Sequence, residues 1–463
     1  MRAIKCFSGI RSASWHAGLL GSSLCLALAA CGGGSDSQTP AINGPTAAAP
    51  NTTYSVGGTI SGLVTGTQLT LLNNGGNALT VNANGAFGFA TSMASGSGYA
   101  VSVGTQPKGQ RCTVSNGSGT VTTNNVTSIG VTCTRISYAY AANQSGTVSQ
   151  YTIGSDGSLV PLATATVSAG NTPFFVTVHP SGKYAYVVNT NGNTVSQYAI
   201  GSDGSLSPLA TATVNTGTGP SSITADPTGR YVYVTNLSSA NVSHFTVGSD
   251  GALVLTTTST VGGQTPTSVT VDPSASHAYV ATTNGTIWQF TIGANGSLTP
   301  MTPDRVASGN TPWSVAVDPS GKYVYAANQG SNDVTEYAIG SGGSLAGING
   351  GIIAGVTPLA VTVDRSGKYV YVANSGDGTV SQYTIGGDGS LTSMATARVS
   401  AGLSPMAVTV DPSGKYVYVA NTGGNTISQY TIGSDGALTP MATASVNAAT
   451  GPRSIATTYA ATQ

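Results

Sequence analysis

The chain has 463 residues, of which only 6% are charged, and its 15 basic and 15 acidic side chains cancel. An average soluble protein carries roughly 25% charged residues, so the clustered Lys and Arg that grip phosphates are not available and nucleic acid is excluded as a partner. Gly, Ser, Thr and Asn take their place, which leaves electrostatic steering little to act with.

Residues 1–31 read as a targeting segment. Arg2, Lys5 and Arg11 form a basic start, and Leu19 to Ala30 is an apolar stretch too short to span a bilayer as a stable helix. It ends Leu28-Ala29-Ala30-Cys31-Gly32, which resembles the lipobox of bacterial lipoproteins. The resemblance implies acylation of Cys31 and a lipid bilayer as partner; Gly32 after the cysteine, where Asp could stand, implies an outer-membrane address. Removing the segment leaves 12 basic against 15 acidic residues. Cys6 and Cys25 leave with it, so the mature chain keeps Cys112 and Cys133 beside the lipidated Cys31. An even pair in an exported protein reads as a disulfide.

Residues 32–52, with Pro40, Pro45 and Pro50, carry no apolar period and read as a flexible tether spanning about 25 Å. Residues 53–134 form a separate unit. Alternating runs such as Gln68 to Leu72 and Tyr99 to Val103, separated by Gly-Gly and Asn84-Gly85 turns, predict a small antiparallel β-sandwich. It resembles the Ig-like or carboxypeptidase-regulatory-like sandwiches that envelope proteins use as spacers.

From residue 136 a single phrase recurs. The second tyrosine of a Tyr-x-Tyr pair falls at 140, 186, 233, 279 (where His277 replaces the first), 325, 371 and 418, always 46 or 47 residues apart. Prolines at 173, 220, 266, 312, 358, 405 and 452 keep the same beat. In one copy, Pro312 to Val317 alternates as a strand, Asp318 to Lys322 turns, and Tyr323 to Asn328 and Val334 to Ile339 are two further strands. Gly340 to Gly343 is a hairpin turn and a fourth strand follows around Leu345 to Ile353. Four short strands per unit of this length is the propeller-blade pattern, because one blade cannot bury both its faces alone. The first unit lacks its Pro-led strand and the last residues, Gly451 to Thr457, supply one. Residues 136–463 therefore predict a seven-bladed β-propeller closed by the C-terminal strand, which removes an exposed edge.

Phrases such as Tyr369-Val-Tyr-Val-Ala-Asn374 and Tyr416-Val-Tyr-Val-Ala-Asn421 resemble the YVTN-type repeats of lactonase-like seven-bladed propellers. That family includes 6-phosphogluconolactonases and muconate-lactonising relatives, so the resemblance implies a lactone hydrolase with polar and basic groups at the channel mouth. The charges expected on that face are few: Asp333, Asp377 and Arg453, with Arg305 and Arg398 further out. That is thin equipment for a phosphosugar, which calls for Arg or Lys.

Most repeated features have structural explanations. The seven second-strand tyrosines and the third-strand aromatics, such as Tyr151 and Phe245, read as blade packing. The Gly-Ser-Asp-Gly turns at 154, 201, 248 and 433 stand too far apart to share calcium and read as hairpins. His179, His244 and His277 each replace a repeat residue in a different layer, so they do not predict one metal site. No zinc motif, nucleophile elbow or Gly-rich phosphate loop occurs, and no cofactor is expected.

One position varies where its neighbours are nearly uniform: the residue after each repeat proline, Phe174, Ser221, Thr267, Trp313, Leu359, Met406 and Arg453. With the Pro-led strand innermost, this ring faces the central opening, and Phe174, Trp313, Met406 and Arg453 are its candidate ligand-binding members; relaxed packing at strand starts would produce variation too. The sequence thus predicts a monomeric lipid-anchored envelope propeller that acts as a binding or interaction scaffold for a protein, glycan or small molecule. The rival expectation is a lactone hydrolase with its pocket around Arg453.

Overall fold

The structure is a computed structural model that describes residues 52–462. The targeting segment, Cys31 and the tether up to residue 51 lie outside the described residues. The described residues are all-β, with no helix among them.

Residues 53–135 form two four-stranded sheets around one core that includes Val56, Ile60, Leu71, Phe87, Val101 and Val131. Cys112 and Cys133 face each other across two antiparallel strands and are joined by a disulfide. The expected antiparallel pattern needs one correction. Val56–Ser61 and Val126–Arg135, at the centre of one sheet, run parallel. Parallel neighbours need a long crossover, and the second sheet supplies it, because the chain visits that sheet between the two strands.

Seven blades follow. Each runs from an inner Pro-led strand outward, as in Pro173–Val178, Tyr184–Asn189, Thr194–Ile200 and Leu206–Asn215. Blade one takes its inner strand from the other end of the chain: Pro452–Tyr459 pairs antiparallel with Ser137–Asn143. In blade five the outer strand is split into Leu345–Gly347 and Ile352–Ile353.

Apolar clusters lie between the blades. At the junction of blades two and three, Tyr186 and Val188 pack against Ile223, Val232, Phe245 and Leu253. Polar bonds then set the register around the ring. The Tyr140 hydroxyl donates to the Gly204 carbonyl of the next blade, and the same bond recurs from Tyr186, Tyr233, Tyr279, Tyr325, Tyr371 and Tyr418. The first tyrosine of the pair lies flat on the same turn. Gly204 has φ +85, and a Cβ there would sit 2.3 Å from the Tyr138 ring, so the turn requires glycine twice over. The turn aspartate is consumed locally: Asp156 Oδ1 accepts from both the amide and the hydroxyl of Ser158.

A third-strand glutamine completes five of the seven junctions. Gln150 accepts from the buried Leu206 amide and donates to Thr164, and Gln197, Gln289, Gln382 and Gln429 repeat both bonds. Glu336 makes the same acceptance in blade five. His244 stands at this position in blade three, almost fully buried, and neither ring nitrogen has a hydrogen-bond partner.

Candidate functional site

The inner strands converge on a central cavity of about 330 Å³. Its upper rim is built from the residues before each repeat proline. The Thr172 carbonyl accepts from the Thr190 amide in the loop after the second strand, and Gly219, Thr265, Thr311, Thr357, Ser404 and Gly451 do the same. Thr172, Thr311, Thr357 and Ser404 hold φ between 52 and 58, a left-handed conformation that non-glycine residues avoid and that only a firmly held rim maintains.

That rim sets the direction of the next side chain, and all seven residues of the variable ring line the cavity. They divide by exposure. Ser221, Thr267 and Leu359 are buried, the first two by bonds to the Pro266 and Pro312 carbonyls. Phe174, Trp313, Met406 and Arg453 remain partly open. The sequence-predicted four are thus brought together at one mouth.

Arg453 is the charged member. Its guanidinium lies 5.2 Å from the Phe174 ring centroid, and one terminal nitrogen donates to Gln144 Oε1 at 2.9 Å. Its Nε is buried and has no acceptor, and desolvation pushes its pKa below the usual arginine range. Burial also strengthens any interaction with an anion, because the local dielectric is low. Gln144 was not singled out by the sequence; it follows Asn143 in the first repeat, where other repeats carry Thr, Leu, Gln or Ser.

The other charges expected on this face are engaged elsewhere. Asp333 accepts from Asn328 and Ser331, and Asp377 accepts from the Val356 amide and Thr379. Arg398 donates to the Ala354 carbonyl and sits 3.9 Å from Asp377, while Arg305 stacks on Trp288. The histidines stay apart. His179 is held by Ser181 and the Gly229 carbonyl, His277 by Asp272, and His244 lies inside the ring. Among the described residues no group of His, Cys, Asp or Glu is arranged to hold a metal ion.

The lower end of the cavity brings in a residue the sequence reading passed over. Arg365 lines it, from the turn Asp364-Arg365-Ser366-Gly367. The sister turns carry Pro180, Pro227, Pro273, Pro319 and Pro412 at that place, and this single departure was the available signal.

The family model described as lactonase, 7-bladed beta-propeller, matches residues 145–286 and 277–458. No curated protein matches the chain. Among solved structures, the periplasmic gluconolactonase of Pseudomonas aeruginosa is 19% identical with a TM-score of 0.62, over 70% of this chain and 99% of that one. A Bacteroides fragilis protein proposed to be a 6-phosphogluconolactonase is 22% identical with a TM-score of 0.62, over 70% of this chain and 98% of that one. A Lactobacillus plantarum protein is 18% identical with a TM-score of 0.61, over 70% and 99%. These three show a shared propeller fold, and the family match covers most of the chain: this protein belongs to the lactonase family of seven-bladed β-propellers.

Proposed function

We propose that the protein is a lactone hydrolase whose substrate sits at the upper channel mouth. The observation that carries this reading is the partly desolvated Arg453, with Nε free, beside the Phe174 ring in a cavity lined also by Trp313 and Met406. Membership of the lactonase family supports it. Hydroxide adds to the lactone carbonyl carbon, the ring C–O bond breaks, and the product leaves as a hydroxy carboxylate, with Arg453 donating to the carbonyl oxygen as negative charge grows there. One such donor is worth about 10²–10³ in rate. The three large apolar neighbours favour a lactone with an aryl or alkyl body over a phosphosugar.

A second reading, a non-catalytic binding or interaction scaffold, is favoured by one observation: among the described residues no carboxylate or imidazole lines the cavity. On the hydrolase reading the attacking species is therefore hydroxide from solvent, and kcat/KM rises about tenfold per pH unit without an acid limb. Hydrolysis of a panel of aryl, alkyl and sugar lactones, followed in a pH-stat, separates the two. Turnover above the buffer rate supports the hydrolase; binding with no turnover of any member supports the scaffold.

The envelope address is also part of the proposal. The basic residues Arg2, Lys5 and Arg11 and the sequence Leu28 to Cys31 support a lipid anchor on Cys31. Cys31→Ser then moves the protein from the membrane to the soluble fraction, since acyl chains supply the anchoring; unchanged partition contradicts it.

A further inference from the structure

We propose a second binding site at the lower mouth of the channel, on the face opposite Arg453, that takes a small soluble molecule through its phosphate or carboxylate group. A recess of about 380 Å³ opens there, lined by Arg135, Arg365, Ser181, Thr457, Thr458 and Tyr459 among others, with no carboxylate side chain among the described residues in its wall.

Two guanidinium groups are placed around one short stretch of chain. Arg365 Nε donates to the Asp411 carbonyl at 3.1 Å. The next carbonyl, that of Pro412, accepts from the Tyr459 hydroxyl at 3.0 Å, and Arg135 lies 4.8 Å above the Tyr459 ring. One backbone bond and one ring contact thus orient the side chains, and their terminal nitrogens have no hydrogen-bond partner among the described residues. Neither arginine has a carboxylate partner: the ion pairs found among the described residues are those of His277, Arg305 and Arg398.

The carboxylates of the two adjoining turns are not paired with either arginine. Asp411 is buried and accepts from the amides of Ser413, Lys415 and Tyr416, and Asp364 accepts from Ser366, Lys368 and Tyr369 in the same way. His179 is also used up, with one nitrogen on Ser181 and the other on the Gly229 carbonyl. The recess is lined by two exposed arginines, each held by one contact, and by the hydroxyl-bearing Ser181, Thr457 and Thr458. Arginine's planar fork suits phosphate and carboxylate oxygens. The repeat adds an independent argument, because five sister turns place proline where Arg365 stands. Size limits the guest. Residues Ala460 to Thr462 wall the recess, and Ala460 is bonded to the Ile136 carbonyl where the sandwich joins the propeller.

The test is calorimetric titration of the full-length protein with inorganic phosphate and with citrate at constant ionic strength. Arg365→Pro restores the sister-turn residue and so removes the charge with little risk to folding; Arg135→Gln removes the other. Each is expected to weaken anion binding roughly tenfold, as loss of one charge-assisted bond implies, and Arg453→Gln is expected to leave it unchanged. Undiminished affinity in Arg365→Pro and Arg135→Gln, or loss in Arg453→Gln alone, overturns the site. Competition for phosphate by phosphatidylglycerol nanodiscs, with the lower-mouth variants insensitive to them, overturns the assignment to a small soluble ligand.

Discussion

The Tyr418 hydroxyl donates to the Gly157 carbonyl at 2.6 Å, across 261 residues of sequence. The six other bonds of this kind run forward from one blade to the next, and this one returns from blade seven to blade one. Tyr418→Phe keeps the ring and removes only the donor, leaving a buried carbonyl unpaired. It is expected to lower stability by about 1–3 kcal/mol in urea unfolding. An unchanged midpoint means that the junction does not depend on this bond.

Deleting residues 451–463 removes the strand paired with Ser137–Asn143 and also the Ser454 hydroxyl that accepts from the Val176 amide. The inner edge of Ser137–Asn143 is left unpaired, which invites association as well as unfolding. The melting temperature should fall out of proportion to the 13 residues lost, and light scattering should show aggregation. A truncated chain that melts like the parent shows the ring closing by other means.

His244 makes the blade three–four junction sensitive to acid. Burial lowers its pKa from 6.5 to about 4. Between those values the unfolded chain holds a proton that the folded chain does not. Stability therefore falls as pH drops from 6.5 and the loss levels off near 4, to a total of roughly 3 kcal/mol. His244→Gln restores the residue found in five other blades and places an acceptor toward Leu298, so it should stabilise by about 1 kcal/mol at neutral pH. Carboxylate titration is common to both proteins, so the difference between their urea midpoints at pH 7 and pH 4.5 isolates the imidazole. Parallel pH dependence contradicts this account.

The disulfide acts on the sandwich and leaves the ring alone. Cys112 and Cys133 enclose about 20 residues, and opening that loop costs roughly 3 kcal/mol in the chain-entropy model. Cys112→Ser with Cys133→Ser should lower the first transition of a thermal scan and leave the propeller transition in place. A shift of both transitions together ties the two units into one cooperative fold.

The propeller was legible because structural residues recur: the second tyrosines and the turn glycines mark all seven junctions, and the third-strand glutamines mark five of them. The variable ring was legible by contrast, since Phe174, Trp313, Met406 and Arg453 break an otherwise uniform position. Sequence could not separate Ser221 and Thr267 from them, because a hydroxyl that turns toward a neighbouring carbonyl reads the same as one that faces a channel. Arg365 was missed because one replacement in a turn resembles surface drift until the ring closes and brings it to the cavity end. The parallel pair in the sandwich was missed because alternation fixes which face a residue takes and says nothing of strand direction.

The most direct test of the proposed activity is the initial rate of lactone hydrolysis by the parent protein and by Arg453→Ala, on the best substrate of the panel. The account predicts a fall in kcat/KM of about 10²-fold with melting temperature unchanged, because a donor to the developing oxyanion is lost and the strand pairing is not. Arg453→Lys should recover part of it. An Arg453→Ala protein that hydrolyses the lactone at the parental rate places the chemistry away from the channel mouth and contradicts the account.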